Sequence, residues 1–166
     1  KQMLQQIFIH SLPHRIFLHS RSLAYTTSMT DCIFCKIIEK GEIPATEVYE
    51  DDMVYAFLDI NPTNLGHTLV VPKKHYENLF DIPDTELGIL GARVKKVAAA
   101  VKKAMRADGI NISMNNGNAA GQIVLHAHIH IIPRYENDGF RHWHGRRGYR
   151  DEAEKTETAA KIKSAL

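Results

Sequence analysis

Three histidines alternate with small or apolar residues in the run Leu125-His126-Ala127-His128-Ile129-His130-Ile131-Ile132. In an extended strand, alternate side chains share a face, so His126, His128 and His130 project one way. Leu125, Ala127, Ile129 and Ile131 project the other way, into a core. Neighbouring imidazoles then stand ~7 Å apart, and the central one is flanked without crowding. Two chemistries suit such a row. One is metal ligation, as in His-x-His zinc sites. The other is a nucleophilic imidazole held in one tautomer by its neighbours and facing an anionic substrate.

The residues just upstream favour the second. Asn116-Gly117-Asn118-Ala119-Ala120-Gly121-Gln122 is a small, flexible loop that can offer backbone N–H groups to phosphate oxygens. The chain's two cysteines, Cys32 and Cys35, form one C-x-x-C. Two cysteines are too few for a disulfide-stapled secreted domain, so the pair reads as redox-active, metal-binding or incidental in a reducing compartment.

The elements that must position these groups follow from hydrophobic periodicity. A short helix is expected over Cys32–Lys40, with Ile33, Phe34, Ile37 and Ile38 on one side and Gly41 as its stop. Strands are expected over Thr46–Glu50 and Met53–Asp59, joined by an acidic turn, and over His67–Val71, closed by Pro72. Leu87, Leu90, Val94, Val97, Val101 and Met105 recur at steps of three and four, which makes about 84–107 the clearest helix, ended by Asp108-Gly109. Strands follow at Ile110–Asn115 and at Val124–Ile132, the latter stopped by Pro133. A polar helix is expected over about 151–166. Five strands with mostly short connections favour an antiparallel sheet, hence an α+β domain over residues 30–139 with 140–166 as a tail.

Residues 1–29 stand apart. They hold no Asp or Glu, carry Lys1, Arg15 and Arg21, and are rich in Ser, Thr and bulky apolar residues. Two readings remain open, a mitochondrial transit peptide and a non-native extension ahead of Met29. Cysteine usage points to the cytoplasm, and the first of those readings would place the protein in mitochondria instead. A net charge of +2 gives no argument for nucleic acid, and no apolar run is long enough to span a bilayer.

Gly121-Gln122 followed by His126-Ala127-His128-Ile129-His130-Ile131-Ile132-Pro133-Arg134 resembles the signature of the histidine triad (HIT) family. Segments 31–38, Ile43-Pro44, 48–52, 57–62, 66–75 and 115–117 fall in the family's order, so the likeness spans about 31–136. It is nearest the C-x-x-C-bearing proteins close to the nucleoside phosphoramidase (Hint) branch. The resemblance implies a HIT-like fold and a homodimer. It also implies attack by His128 on the α-phosphate of a purine nucleotide, with a nucleotidyl-histidine intermediate that water resolves. His130 and His67 would orient the nucleophile and contact phosphate, Asn115 would contact the phosphate side, and Asp59 would bind the ribose hydroxyls. Gly121 and Gln122 belong to the nucleotide site. Phe34, Ile37, Phe57 and Ile60 match the apolar slot for the base. In relatives with the C-x-x-C, Cys32, Cys35, His75 and His126 correspond to the ligands of a structural zinc.

One position departs from the pattern. The phosphoramidase branch has a hydroxyl residue after Gly-Gln that can protonate a leaving amine, and here that position is Ile123. His130, a water, or His142 or His144 of the tail are left for the role. Substrates expected on this reading are purine nucleoside phosphoramidates or related nucleotidyl conjugates. The alternatives are a dinucleoside polyphosphate hydrolase, a protein that binds nucleotides without turning them over, and a zinc metallohydrolase with the triad as ligands.

Overall fold

The computed structural model describes residues 31–39, 42–140 and 148–166. The extension at 1–29, the expected stop at Gly41, and His142 and His144 lie outside those residues.

Two short strands, β1 (Glu47–Glu50) and β2 (Val54–Leu58), form a hairpin. Asp51 closes it by accepting the amides of Met53 and Val54 at 2.9 and 3.0 Å, along with the Tyr49 hydroxyl and Arg93 Nε. Four donors on one carboxylate hold the Asp51 acid well below its ordinary range, despite burial acting the other way. The strand β3 (Thr68–Pro72) pairs with β2, β5 (Ile129–Arg134) pairs with β3, and β4 (Gly109–Ser113) pairs with β5. The five-stranded sheet is antiparallel throughout, in the order β1-β2-β3-β5-β4.

The central strands β2 and β3 are buried on both faces for nearly their whole length, which is why they are apolar apart from Thr68. On one face Val54, Ala56, Val70, Ala127 and Ile131 meet the long helix α2 (Asp84–Met105) through Leu90, Val94, Val97, Ala98 and Val101. The expected stripe is the buried one, with Leu87 and Met105 half-buried at its ends. The other face carries Tyr55, Phe57, Leu69 and Val71. The six-residue helix α1 (Ile33–Ile38) lies over it through Phe34, Cys35 and Ile37. The last helix, α3 (Glu152–Ser164), is N-capped by Asp151, whose side chain accepts the Glu154 amide at 2.7 Å, and it buries no residue.

Several expected boundaries move. The left-handed residue that ends α2 is Arg106 (φ 51°), with the Ala107 amide bonding back to Lys102 O at 3.0 Å; Gly109 opens β4. β4 stops at Ser113, which leaves Asn115 outside the ladder. β3 closes at Pro72, its last residue, whereas Pro133 sits inside β5 instead of stopping it. The histidine run does not form one strand, since the β5 ladder starts only at Ile129. Upstream, the backbone is claimed by other partners: Gln122 Nε2 donates to Val124 O, His126 N bonds Val124 O, and Ala127 N bonds Tyr76 O.

Leu90 is 2% exposed at the centre of the α2 face. Leu90→Ala is expected to cost about 2–5 kcal/mol, because the pinned sheet below cannot collapse into the cavity. A urea titration should show a lower midpoint at unchanged slope.

Candidate active site and metal cluster

Although the run is not a single strand, the three imidazoles remain on the α1 side of the sheet. Phe57, Leu69 and His130 form a row across β2, β3 and β5, set by the pairings Phe57↔Leu69 and Leu69↔His130. His128 stands next to His130, ring centroids 4.9 Å apart, and Phe34 of α1 packs edge-on against His128 at 5.2 Å and Phe57 at 5.5 Å. Between α1 and this row opens a cleft of about 750 Å³, large enough for a nucleotide-sized ligand.

Hydrogen bonds settle the tautomers. His128 Nδ1 lies 2.6 Å from the carbonyl of His126, which can only accept, so Nδ1 carries the proton and Nε2 carries the lone pair. At His67 the Thr63 amide donates to Nδ1 at 3.2 Å, which leaves the proton on Nε2. That Nε2–H donates to His130 Nδ1 at 2.9 Å, so His130 keeps its own proton on Nε2. The Asp59 carboxylate stands 3.6 Å from His67 Nδ1, too far to compete as a hydrogen-bond acceptor, and its other oxygen takes the Asn61 amide at 2.8 Å. Burial keeps all three rings neutral. It lowers His128 and His67 against the pull of Asp59, and lowers His130 to about 4 with help from its two histidine neighbours.

Most of the expected residues meet at this cleft. Phe34, Ile37, Phe57, Asp59, Ile60, Asn115, Gly121, His128 and His130 line it. His67 is not a lining residue but braces His130 from behind. Gln122 also stands apart from the cleft: its side chain accepts the Gly117 amide and donates to Glu77 O and Val124 O, so it shapes the loop. The loop differs from expectation too. The amides of Gly117, Ala120, Gly121 and Gln122 are all bonded within the loop, so they are not an open cradle for phosphate. Among the side chains lining the cleft, His130 offers its Nε2–H and Asn115 its amide, which also reaches Gly121 O at 3.4 Å. Ile33, Ile43, Pro44, Ala45, Thr46, Leu69 and Val124 line the cleft as well. Sequence placed several of these in expected elements or matched segments, among them Ile33, Ile43-Pro44 and Leu69, but assigned none of them to the site. Ile60 and Ile123 are 92% and 93% exposed, at the rim and not in a packed slot.

Behind the cleft, Cys32, Cys35, His75 and His126 converge, with four donor atoms all within 4.8 Å of one another. His126 Nδ1 is 3.4 Å from Cys32 Sγ and 3.6 Å from Cys35 Sγ, and His75 Nδ1 is 3.4 Å from Cys35 Sγ. Tetrahedral zinc with ordinary Zn–S and Zn–N bonds needs S···N edges of about 3.5 Å, so these spacings fit it. His126 Nε2 donates to Pro72 O at 2.9 Å, which turns the Nδ1 lone pair toward the sulfurs. Burial, with Cys32 beside it, pushes the Cys35 thiol up to about 12, so a thiolate there requires a cation. The donor set suits a closed, structural zinc site.

Comparison with known proteins agrees with this geometry. A HIT domain model matches residues 40–137. The chain belongs to the histidine triad family. It is 63% identical over 108 residues to a HIT-like protein of Methanocaldococcus jannaschii, covering 65% of this chain and 82% of that one. It is 46% identical to the adenylylsulfatase HINT3 of Arabidopsis thaliana (68% and 57% covered). It is 48% identical to the adenosine 5'-monophosphoramidase HNT1 of Saccharomyces cerevisiae (62% and 62%). Among solved structures, a HIT family member from Bacillus subtilis superposes with TM-score 0.74 at 42% identity, covering 82% of this chain and 97% of that one. A zinc-bound histidine triad protein from Mycobacterium smegmatis gives 0.65 at 37% (84% and 100%). The fold is therefore the HIT fold, of the Hint-like kind. No helix among the described residues is long and apolar enough to cross a membrane.

The neutral histidines bear on stability. Below pH 6.5 an unfolded histidine takes up a proton that folded His130 refuses until about pH 4. The unfolded state then binds more protons, so stability falls as pH drops from 6.5 toward 4, and His67 acts in the same direction. Asp51 and Asp138, both held low, add their loss only at more acid pH. Urea midpoints across this range should decline from pH 6.5, and His130→Asn should make that decline shallower.

Proposed function

We propose that this protein hydrolyses purine nucleoside phosphoramidates or related nucleotidyl conjugates, with His128 as nucleophile. The observation that carries the reading is the 2.6 Å bond from His128 Nδ1 to its own chain's carbonyl, which leaves the Nε2 lone pair to a ring that lines the cleft. On this reading Nε2 attacks the α-phosphorus, an N–P bond forms and the bond to the leaving group breaks. His130, neutral and with its one proton on Nε2, donates a hydrogen bond to a phosphoryl oxygen, and the departing atom takes its proton from a water. A second water then attacks phosphorus, the N–P bond breaks, and the nucleoside monophosphate leaves as that water's proton neutralises the hydroxide left by the first. The purine would lie against Phe34, Ile37 and Phe57, with Asp59 accepting the ribose hydroxyls and Asn115 on the phosphate side.

The lining supports a conjugate with one phosphate over a dinucleoside polyphosphate. Among the described residues that line the cleft, none is Lys or Arg, and Asp59 brings the one formal charge. Among the described lining residues, a chain of several phosphates would find no cation to offset it. The activities named for the Arabidopsis and yeast relatives, on adenylyl sulfate and adenosine phosphoramidate, point the same way. We also propose one structural zinc at Cys32, Cys35, His75 and His126, and a homodimer, for which β4 offers an outer edge without a ladder partner among the described residues.

His128→Ala is expected to abolish turnover, by about 10⁴-fold or more, while nucleotide binding changes little. Rapid-quench trapping of the nucleotide on any residue other than His128 would overturn the assignment. Ile123 has no proton to give, and general acid catalysis is worth roughly 10²–10⁴-fold. Ile123→Ser should therefore raise turnover of amine-leaving substrates more than that of anhydrides. Equal rates for both classes, before and after the substitution, would reduce Ile123 to an apolar rim residue.

A further inference from the structure

The peptide group between His126 and Ala127 joins the metal cluster to the nucleophile. Its carbonyl accepts His128 Nδ1–H at 2.6 Å, and its N–H donates to the Tyr76 carbonyl at 2.6 Å. On both sides it is flanked by cluster residues. His126 contributes the carbonyl, and its ring is held at both nitrogens, by the sulfurs and by Pro72 O. His75 is the residue next to Tyr76. The plane of this peptide is thus fixed by two side chains that converge on one point, and that plane selects the tautomer of His128.

The same cluster seats one wall of the cleft. α1 has six residues and no side-chain cap, too short to be a stable helix by itself. Cys32 precedes it and Cys35 lies within it, so two of the four donors tether the helix to His126, more than 90 residues away in the chain. Phe34, between the tethers, packs edge-on to His126 at 5.9 Å and to His128 at 5.2 Å, and it lines the cleft with Ile33 and Ile37. Without a cation between them, the sulfurs meet His126 only across contacts of 3.4 and 3.6 Å, which are weak for sulfur.

We infer that His126 is a positioning residue for catalysis: through the Cys32–Cys35–His75–His126 cluster, metal occupancy sets the His126–Ala127 peptide, hence the tautomer of His128 and the seat of α1. The inference rests on the reading of His128 as nucleophile. It differs from a merely stabilising role, in which metal loss would lower the melting temperature and leave each folded molecule fully active.

The test compares the full chain loaded with one equivalent of zinc, the same protein after chelation, and His126→Cys. That variant keeps four soft ligands for zinc but shortens the tether and removes the bond to Pro72 O. Long-range ¹H–¹⁵N spectra report the His128 tautomer, assigned against His128→Ala; AMP titration reports the slot; circular dichroism and metal analysis report fold and occupancy. Zinc-loaded wild type should hold His128 as the Nδ1–H tautomer. Chelated protein should show mixed tautomers and weaker AMP binding, by about 3- to 10-fold, with kcat down by about 10- to 100-fold and all of it restored by zinc. His126→Cys should be folded and metalled yet show the same tautomer mixing and kcat loss, which keeps the inference testable if the chelated chain unfolds. An unchanged His128 tautomer and wild-type kcat in folded, metalled His126→Cys would overturn it, as would the same result in folded, metal-free wild type. If zinc-loaded wild type turns over no nucleotide conjugate, the proposed function fails by itself. The tautomer comparison still decides whether the cluster controls His128.

Discussion

A neutral imidazole can attack through only one nitrogen, and the hydrogen bond from His128 Nδ1 to the His126 carbonyl decides which one. Much of the surrounding structure serves to keep that bond in place. The carbonyl belongs to a segment withdrawn from the β5 ladder, where Gln122, Val124 and Tyr76 supply its backbone partners. Had the run continued as regular strand to Val124, that carbonyl would point across the sheet to a neighbour. It would not be free to meet a side chain two residues on in its own chain. The departure from regular pairing is therefore what turns a row of histidines into an ordered set, one with its lone pair in the cleft and one with its N–H beside it.

The sheet supplies rigidity from both sides. α2 closes one face with a continuous apolar stripe, and the ladder from β2 through β3 to β5 carries that support to His130. The opposite face is only partly closed, by the short α1, and the gap it leaves is the cleft. Closure by a long helix would have filled this face. A short one, anchored by side chains, leaves room for a ligand while excluding enough water to keep His67, His128 and His130 neutral.

Much of this was legible in sequence where the signal is local. The 3.6-residue period of Leu90, Val94, Val97 and Val101 located α2, and the period-two run placed the three imidazoles on one side with Ala127 and Ile131 on the other. Long-range partners were not legible. Nothing in the spacing of residues 124–128 says that Tyr76 will take the Ala127 amide or that Gln122 will turn onto Glu77 and Val124. The Gly/Asn loop illustrates the same limit: glycines advertise free amides, but those of Gly117 and Gly121 are bonded within the loop. Cys32 and Cys35 are visible as a pair, whereas His75 could be joined to them only through the family likeness, because a ligand forty residues away carries no periodic mark. Arg106 in the left-handed region has no glycine to signal it; the Ala107 bond back to Lys102 holds it there.

If His128 is the nucleophile, the electrostatics of the cleft favour the transition state over the bound substrate. With no lysine or arginine among its described lining residues, the cleft meets a phosphate with neutral donors, which bind an anion modestly. On the proposed reading, attack would move electrons from His128 Nε2 to phosphorus, and positive charge would grow on a ring that burial has kept neutral. Two fixed groups welcome that charge. The His126 carbonyl accepts the Nδ1 proton more strongly as it becomes acidic, and the Asp59 carboxylate favours the charged form of His128. Asp59 itself accepts the Asn61 amide at 2.8 Å, which orients its carboxylate. A lysine in the cleft would tighten the ground state and oppose the charge that forms on the nucleophile. One carboxylate and one carbonyl, both set before substrate arrives, do the reverse, and interactions that strengthen only as the reaction proceeds are the ones that raise its rate.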